Sequence, residues 1–177
     1  MISISVVFWM FVILFAIIGG LRGWARELLV AFSVLLALTF ITLLESYVPF
    51  IRDVLKQDSK SLYFWLRFVI IGMLVFFGYQ TPNIPRFAPK MNREKIQDAL
   101  LGVVLGALNG YLIVGTLWYF LYDAGYPFSA IQPPPVGSEI EKIALGMLKY
   151  MPPRLLGIPG IYFAIVIAFI FVIVVFI

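Results

Sequence analysis

Apolar runs long enough to cross a bilayer recur along this chain, and they leave it few ways to fold. The first covers residues 2–20 (ISISVVFWMFVILFAIIGG). A second follows the short connection LRGWARELL and ends near Val48 and Pro49, a third covers 61–79, a fourth 93–122 and a last 160–177. The hydrocarbon core of a membrane takes about 20 residues of helix at ~1.5 Å each, so runs of this length read as membrane helices. Composition points the same way, with 63% apolar and only 12% charged residues, against roughly 25% charged in soluble domains. Mean hydropathy is +1.04. The expected fold is all-α: a polytopic membrane protein with about five spans plus one short amphipathic interfacial helix, and no extramembrane core. Its expected divisions are a four-span membrane domain over 1–123, a Pro-rich loop and amphipathic helix over 124–157, and an additional transmembrane helix over 158–177.

The connections shape this further. The first run has no Lys or Arg before it and no small-x-small cleavage pattern after it, so it reads as a retained span. Gly19 and Gly20 are expected to loosen the helix where charge begins. The brevity of the next connection makes the first two spans adjacent and antiparallel. Residues 80–95 (QTPNIPRFAPKMNREK) carry three prolines and four basic residues and read as a surface loop, with Asn92 as N-cap of the fourth helix and Glu94 and Asp98 near its positive end. Ser138 followed by Glu141 is a capping box, which predicts a short helix over 139–151. Its apolar face would hold Ile140, Ile143, Ala144, Met147, Leu148 and Met151, lying in the interface or covering a partner until Pro152 and Pro153 stop it.

Lys and Arg set orientation. Arg22, Arg26, Arg86, Lys90, Arg93 and Lys95 fall on one side and Arg52, Lys56, Lys60, Lys142, Lys149 and Arg154 on the other. The first set hugs span ends, whereas half of the second sits in a long loop where the positive-inside bias is weaker, which puts the N-terminus outside and the C-terminus inside. The net charge of +4, spread over loops, suits anionic lipid headgroups and not nucleic acid.

The chain has no histidine and no cysteine. Structural zinc, an iron–sulfur cluster, thiol redox chemistry and a Ser-His-Asp triad therefore cannot be assembled within it. No cofactor is called for, and the expected protein is not an enzyme. The residues that stand out are few. Arg22, Gly23, Arg26 and Glu27 sit in the first hairpin. The two arginines read as a headgroup-facing cap, with a docking epitope as the alternative, and Glu27 as a carboxylate seeking a basic partner from another span. In the fourth run Gly102, Gly106 and Gly110 recur every four residues, which lets a neighbouring backbone approach. At about 100° per residue, Asp98, Asn109, Thr116 and Asp123 fall near one line beside that seam. The stripe reads as a packed helix interface with Asn109 and Thr116 as hydrogen-bonding glue. An ion or proton path is the alternative, against which Leu105 and Leu112 interrupt the line. Arg67 is read as snorkelling to the surface, and Trp9, Trp24, Trp65 and Trp118 as interfacial anchors or packing, with contact to a pigment, quinone or acyl chain as the alternative.

Two of these stretches carry a family resemblance. GGLRGWARELL, with its small-x-Arg-Gly-x-x-Arg-Glu pattern after a first span, and DALLGVVLGALNGYLIVGTLWYFL resemble the two signature regions of the colicin V production protein (CvpA) family. With the spacing of the four runs, the resemblance covers residues 5–123. It implies four spans followed by a polar amphipathic tail, in a bacterial inner membrane protein associated with toxin export and envelope physiology, with no established reaction. The last apolar run departs from that pattern, and so does Asn109, where relatives tend to have Arg. The expected function is a scaffold or accessory subunit whose partners are the lipid bilayer and other membrane subunits or further copies of itself. A small channel using the polar stripe, and a cofactor-contacting subunit of a large energy-converting complex, are the alternatives.

Overall fold

The computed structural model describes residues 3–80 and 95–176. The expected loop over 80–95, with Arg86, Lys90, Asn92, Arg93 and Glu94, lies almost wholly outside the described residues. The described residues form helices α1 (Ile4–Arg22), α2 (Trp24–Tyr47), a π-helical turn (Phe50–Leu55), α3 (Lys56–Asp58), α4 (Lys60–Tyr79), α5 (Lys95–Asp123), α6 (Glu139–Leu148), α7 (Pro152–Leu155) and α8 (Gly160–Phe176), without a strand among them. Four of these, α1, α2, α4 and α5, are long and apolar enough to cross a membrane, and α8 is a shorter apolar helix.

Lipid tails are as apolar as leucine, so helices in a membrane associate through close packing and interhelical hydrogen bonds. The tightest packing is between α1 and α5. Gly19 does not loosen α1, which continues through Gly20 to Arg22. A Cβ built on Gly19 would lie 2.7 Å from the Gly106 Cα and one on Gly110 3.0 Å from the Val12 Cα, while one on Gly102 would strike the Gly19 carbonyl. Each glycine is therefore the residue that lets these two backbones touch. Gly23 alone separates α1 from α2, in a positive-φ conformation (φ 86°) that a side chain disfavours. α2 forms the middle of the bundle, with Val30, Val34, Ala37, Leu38 and Ile41 buried among α4, α5 and α8. Three of its hydroxyls are absorbed locally: Ser33, Thr39 and Thr42 donate to carbonyls one turn back at 2.8–2.9 Å.

The segment after α5 folds back onto the bundle. Ser138 caps α6 by accepting from the Glu141 amide at 3.1 Å. Ala144, Leu148 and Met151 are buried against Phe8, Val12 and Trp118, whereas Ile140 and Ile143, expected on the same covered face, stay exposed. The Tyr111 hydroxyl donates to the Tyr150 carbonyl, and Met151 and Pro152 press on Gly115. Gly115 precedes Asp123 by eight residues, so the start of α7 lies about 12 Å down α5 from that helix's end. This segment covers its own α1 and α5. Trp118 is correspondingly buried beneath it and not at an interface, while Trp9 and Trp65 are exposed. α8 leans on α2, with Ile161 buried and Phe169 6.1 Å from Phe32 between ring centres.

Candidate functional site

Charged side chains inside the bundle collect in two clusters, one near each end. The first forms where α1 turns into α2. Glu27, in the first turns of α2, has no exposed surface. Its Oε1 accepts from Arg22 Nη1 at 2.6 Å and its Oε2 from Asn109 Nδ2 at 2.8 Å, and the same amide donates to the Glu27 carbonyl at 2.9 Å. Arg22 also donates from Nη2 to the Tyr79 carbonyl at 3.1 Å, with its guanidinium 4.3 Å above the Tyr79 ring. One carboxylate thus ties together α1, α2, the end of α4 and α5. An isolated charge at this depth would be costly; paired on both oxygens, it holds the helices in one arrangement.

Asp98 completes this end. Its Oδ1 accepts the Trp24 amide at 3.2 Å, satisfying one of the orphan N–H groups that open α2. Its carboxylate packs so closely on Gly23 that an added Cβ would lie 2.7 Å from Oδ2. The hairpin residues and the fourth-run residues, read separately in the sequence, therefore meet in space. Arg22 faces Glu27 and not the headgroups. Arg26 lies on the exposed side.

The second cluster lies where α2 and α5 end and α4 begins. Arg67 does not snorkel: its side chain is 3% exposed, with Nη1 3.0 Å from Asp123 Oδ2 and Nε 3.9 Å from Glu45 Oε1. Its guanidinium is held between the rings of Tyr63, at 3.8 Å, and Phe120, at 4.4 Å, an arrangement favoured by the negative faces of both rings. Tyr63 donates to Glu45 Oε1 at 2.7 Å, and Lys56 Nζ stands 4.0 Å from Asp123 Oδ2. Glu45, Arg67, Asp123 and Lys56 line a cavity of about 200 Å³, walled also by Leu38, Ile41 and the α7–α8 connection.

The stripe along α5 is thereby divided. Asp98 and Asn109 belong to the first cluster and Asp123 to the second, with buried Leu112 and Ile113 between them. Thr116, expected as interhelical glue, is fully buried and its hydroxyl has no hydrogen-bond partner among the described residues. Sequence reasoning missed Glu45, Tyr63, Lys56 and Tyr79. The available signal for Glu45 was an acid near the end of one apolar run with an arginine, Arg67, near the start of the next, which an antiparallel pair of helices brings to one level.

In comparison with known proteins, the family model described as Colicin V production protein matches residues 4–132, a stretch taking in α1 to α5 and the first part of the loop beyond. Neither curated proteins nor solved structures give a match.

Proposed function

Because the chain belongs to the colicin V production protein family, we propose that it acts as a non-catalytic scaffold or accessory subunit of the bacterial inner membrane, packed against other membrane proteins or further copies of itself. The observation that carries this reading is where the polar groups go. The buried charged residues of the spans, Glu27 and Arg67, are paired within the chain near the two ends of the bundle, and between the clusters α5 buries no charge. What remains outward is apolar helix surface. On α8, Phe163, Ile167, Ile170 and Val174 form one exposed stripe on the side away from α2, at the spacing by which a helix presents a face to another helix. We take the N-terminus as outside and the C-terminus as inside.

Purification in mild detergent, followed by identification of co-migrating proteins and an absorption spectrum, tests the scaffold. The expected outcome is a defined partner or a discrete oligomer without bound pigment. Ending the chain after Gly157 should leave insertion intact and weaken that association; full association without α8 would remove α8 from the interface. Reconstituted liposomes distinguish a channel: the scaffold gives no ion or proton flux above empty vesicles, and flux abolished by Asp98→Asn would replace it.

A further inference from the structure

The cavity beside Arg67 has features that a purely structural ion pair does not need. A guanidinium carries five N–H donors. In Arg67, buried to 3% exposure, Nε and Nη2 have no hydrogen-bond partner among the described residues, a costly arrangement for a buried charged donor. The guanidinium edge lies between Glu45 and Asp123, and both carboxylates stand on the cavity wall with Lys56. The wall therefore presents two cations and two carboxylates, which matches a ligand carrying one charge of each sign better than it matches a simple anion.

Position and shape narrow the ligand. Glu45 lies two residues before the end of α2, Asp123 is the last residue of α5, and Lys56 lies on α3, outside the long helices. That level is where phospholipid headgroups lie when these helices span a bilayer. Away from the charges the wall is mostly apolar, with Leu38, Ile41 and Ile161 of α2 and α8 beside Thr42 and Tyr119. Ile158, 60% exposed on the α7–α8 connection, and the half-exposed Lys56 mark the cavity as reachable from outside. At about 200 Å³, it holds several waters at ~30 Å³ each or one small headgroup.

We propose that this cavity seats the headgroup of a phospholipid bearing a primary ammonium. The phosphate sits on Arg67 and Lys56 and the ammonium on Glu45 and Asp123, with the acyl chains leaving past the exposed Ile158. The test uses the full chain in mild detergent, incubated with equal amounts of phosphatidylethanolamine, phosphatidylglycerol and phosphatidylcholine and read by native mass spectrometry. Phosphatidylethanolamine should be retained over both others, since phosphatidylglycerol offers no cation to the carboxylates and the quaternary ammonium of phosphatidylcholine has no N–H to donate.

Lys56→Gln and Glu45→Gln change partly exposed residues, and each should lower the retained phosphatidylethanolamine by roughly fivefold or more, as expected for loss of a charge-assisted hydrogen bond, with the unfolding temperature of Lys56→Gln nearly unchanged. Equal retention of phosphatidylglycerol, or wild-type retention by both variants, overturns the site. Displacement of the lipid by soluble glycerophosphoethanolamine at matching concentration overturns the lipid assignment in favour of a free phosphoester.

Discussion

The two charged clusters are built from the same kinds of residue, an arginine with a carboxylate and an aromatic ring, yet they differ in what encloses them. Around Glu27 the bundle is closed by the glycine contacts of α1 and α5, and both carboxylate oxygens are engaged by side chains of other helices. Around Arg67 the helices end, the carboxylates are about a quarter to a third exposed, and a cavity lies alongside. A carboxylate enclosed by protein, as Glu27 is while its partner Arg22 stays 19% exposed, holds helices together because no solvent can replace a missing partner. An ion pair beside a cavity is more easily rewetted, which leaves its side chains available to a ligand.

The largest effect should come from the contact that closes the first end. Gly106→Leu places a side chain against the Phe15 carbonyl and the Gly19 Cα, and no shift of a single side chain relieves that clash. Loss of the folded band on a native gel is expected, whereas Leu108→Phe, at an exposed position on the same helix, should leave it unchanged. A normal band for Gly106→Leu would mean that the two helices do not meet there.

Next comes the carboxylate itself. Glu27→Ala leaves Arg22 and Asn109 without their shared acceptor and should destabilise by roughly 3 kcal/mol in detergent unfolding. Replacing both ions, as in Arg22→Met with Glu27→Leu, should recover part of that loss, because the stranded charge is then gone. Arg67→Met sharpens the contrast between the ends: its two carboxylates can be hydrated from the cavity side, so a smaller loss of about 1–2 kcal/mol is expected. A cost equal to that of Glu27→Ala would make the two clusters structurally equivalent. Smallest of all is Lys56→Gln. Its partner is 4.0 Å away and its side chain is 51% exposed, so stability should change by no more than about 0.5 kcal/mol.

Much of this architecture was legible in local pattern. Helix existence follows from run length and the start of α6 from Ser138 and Glu141 three residues apart; the brevity of the hairpin, read as making the first two spans neighbours, did not choose the partner, since α1 packs along α5 and meets α2 little beyond the turn. The four-residue glycine spacing on α5 could be read directly, but that Gly19 faces it could not. Gly19 looked like a helix loosener because its role depends on a helix more than 80 residues away in the chain. Arg67 shows the same limit. An arginine near a span end can reach water, and only the arrival of Asp123, Glu45 and two aromatic rings from other segments gives it a better place inside.

The sequence by itself determined the solvent and the segments, because hydropathy and length state which stretches lipid will accept, and it determined which helix faces are narrow enough for close contact. Only the tertiary structure decided which charge meets which, that the segment after α5 dips back over α1 and α5, and that one polar cluster is closed while the other lines a cavity. Those outcomes depend on the relative rotation and depth of helices far apart in the chain, and side-chain periodicity within a single helix carries no information about either.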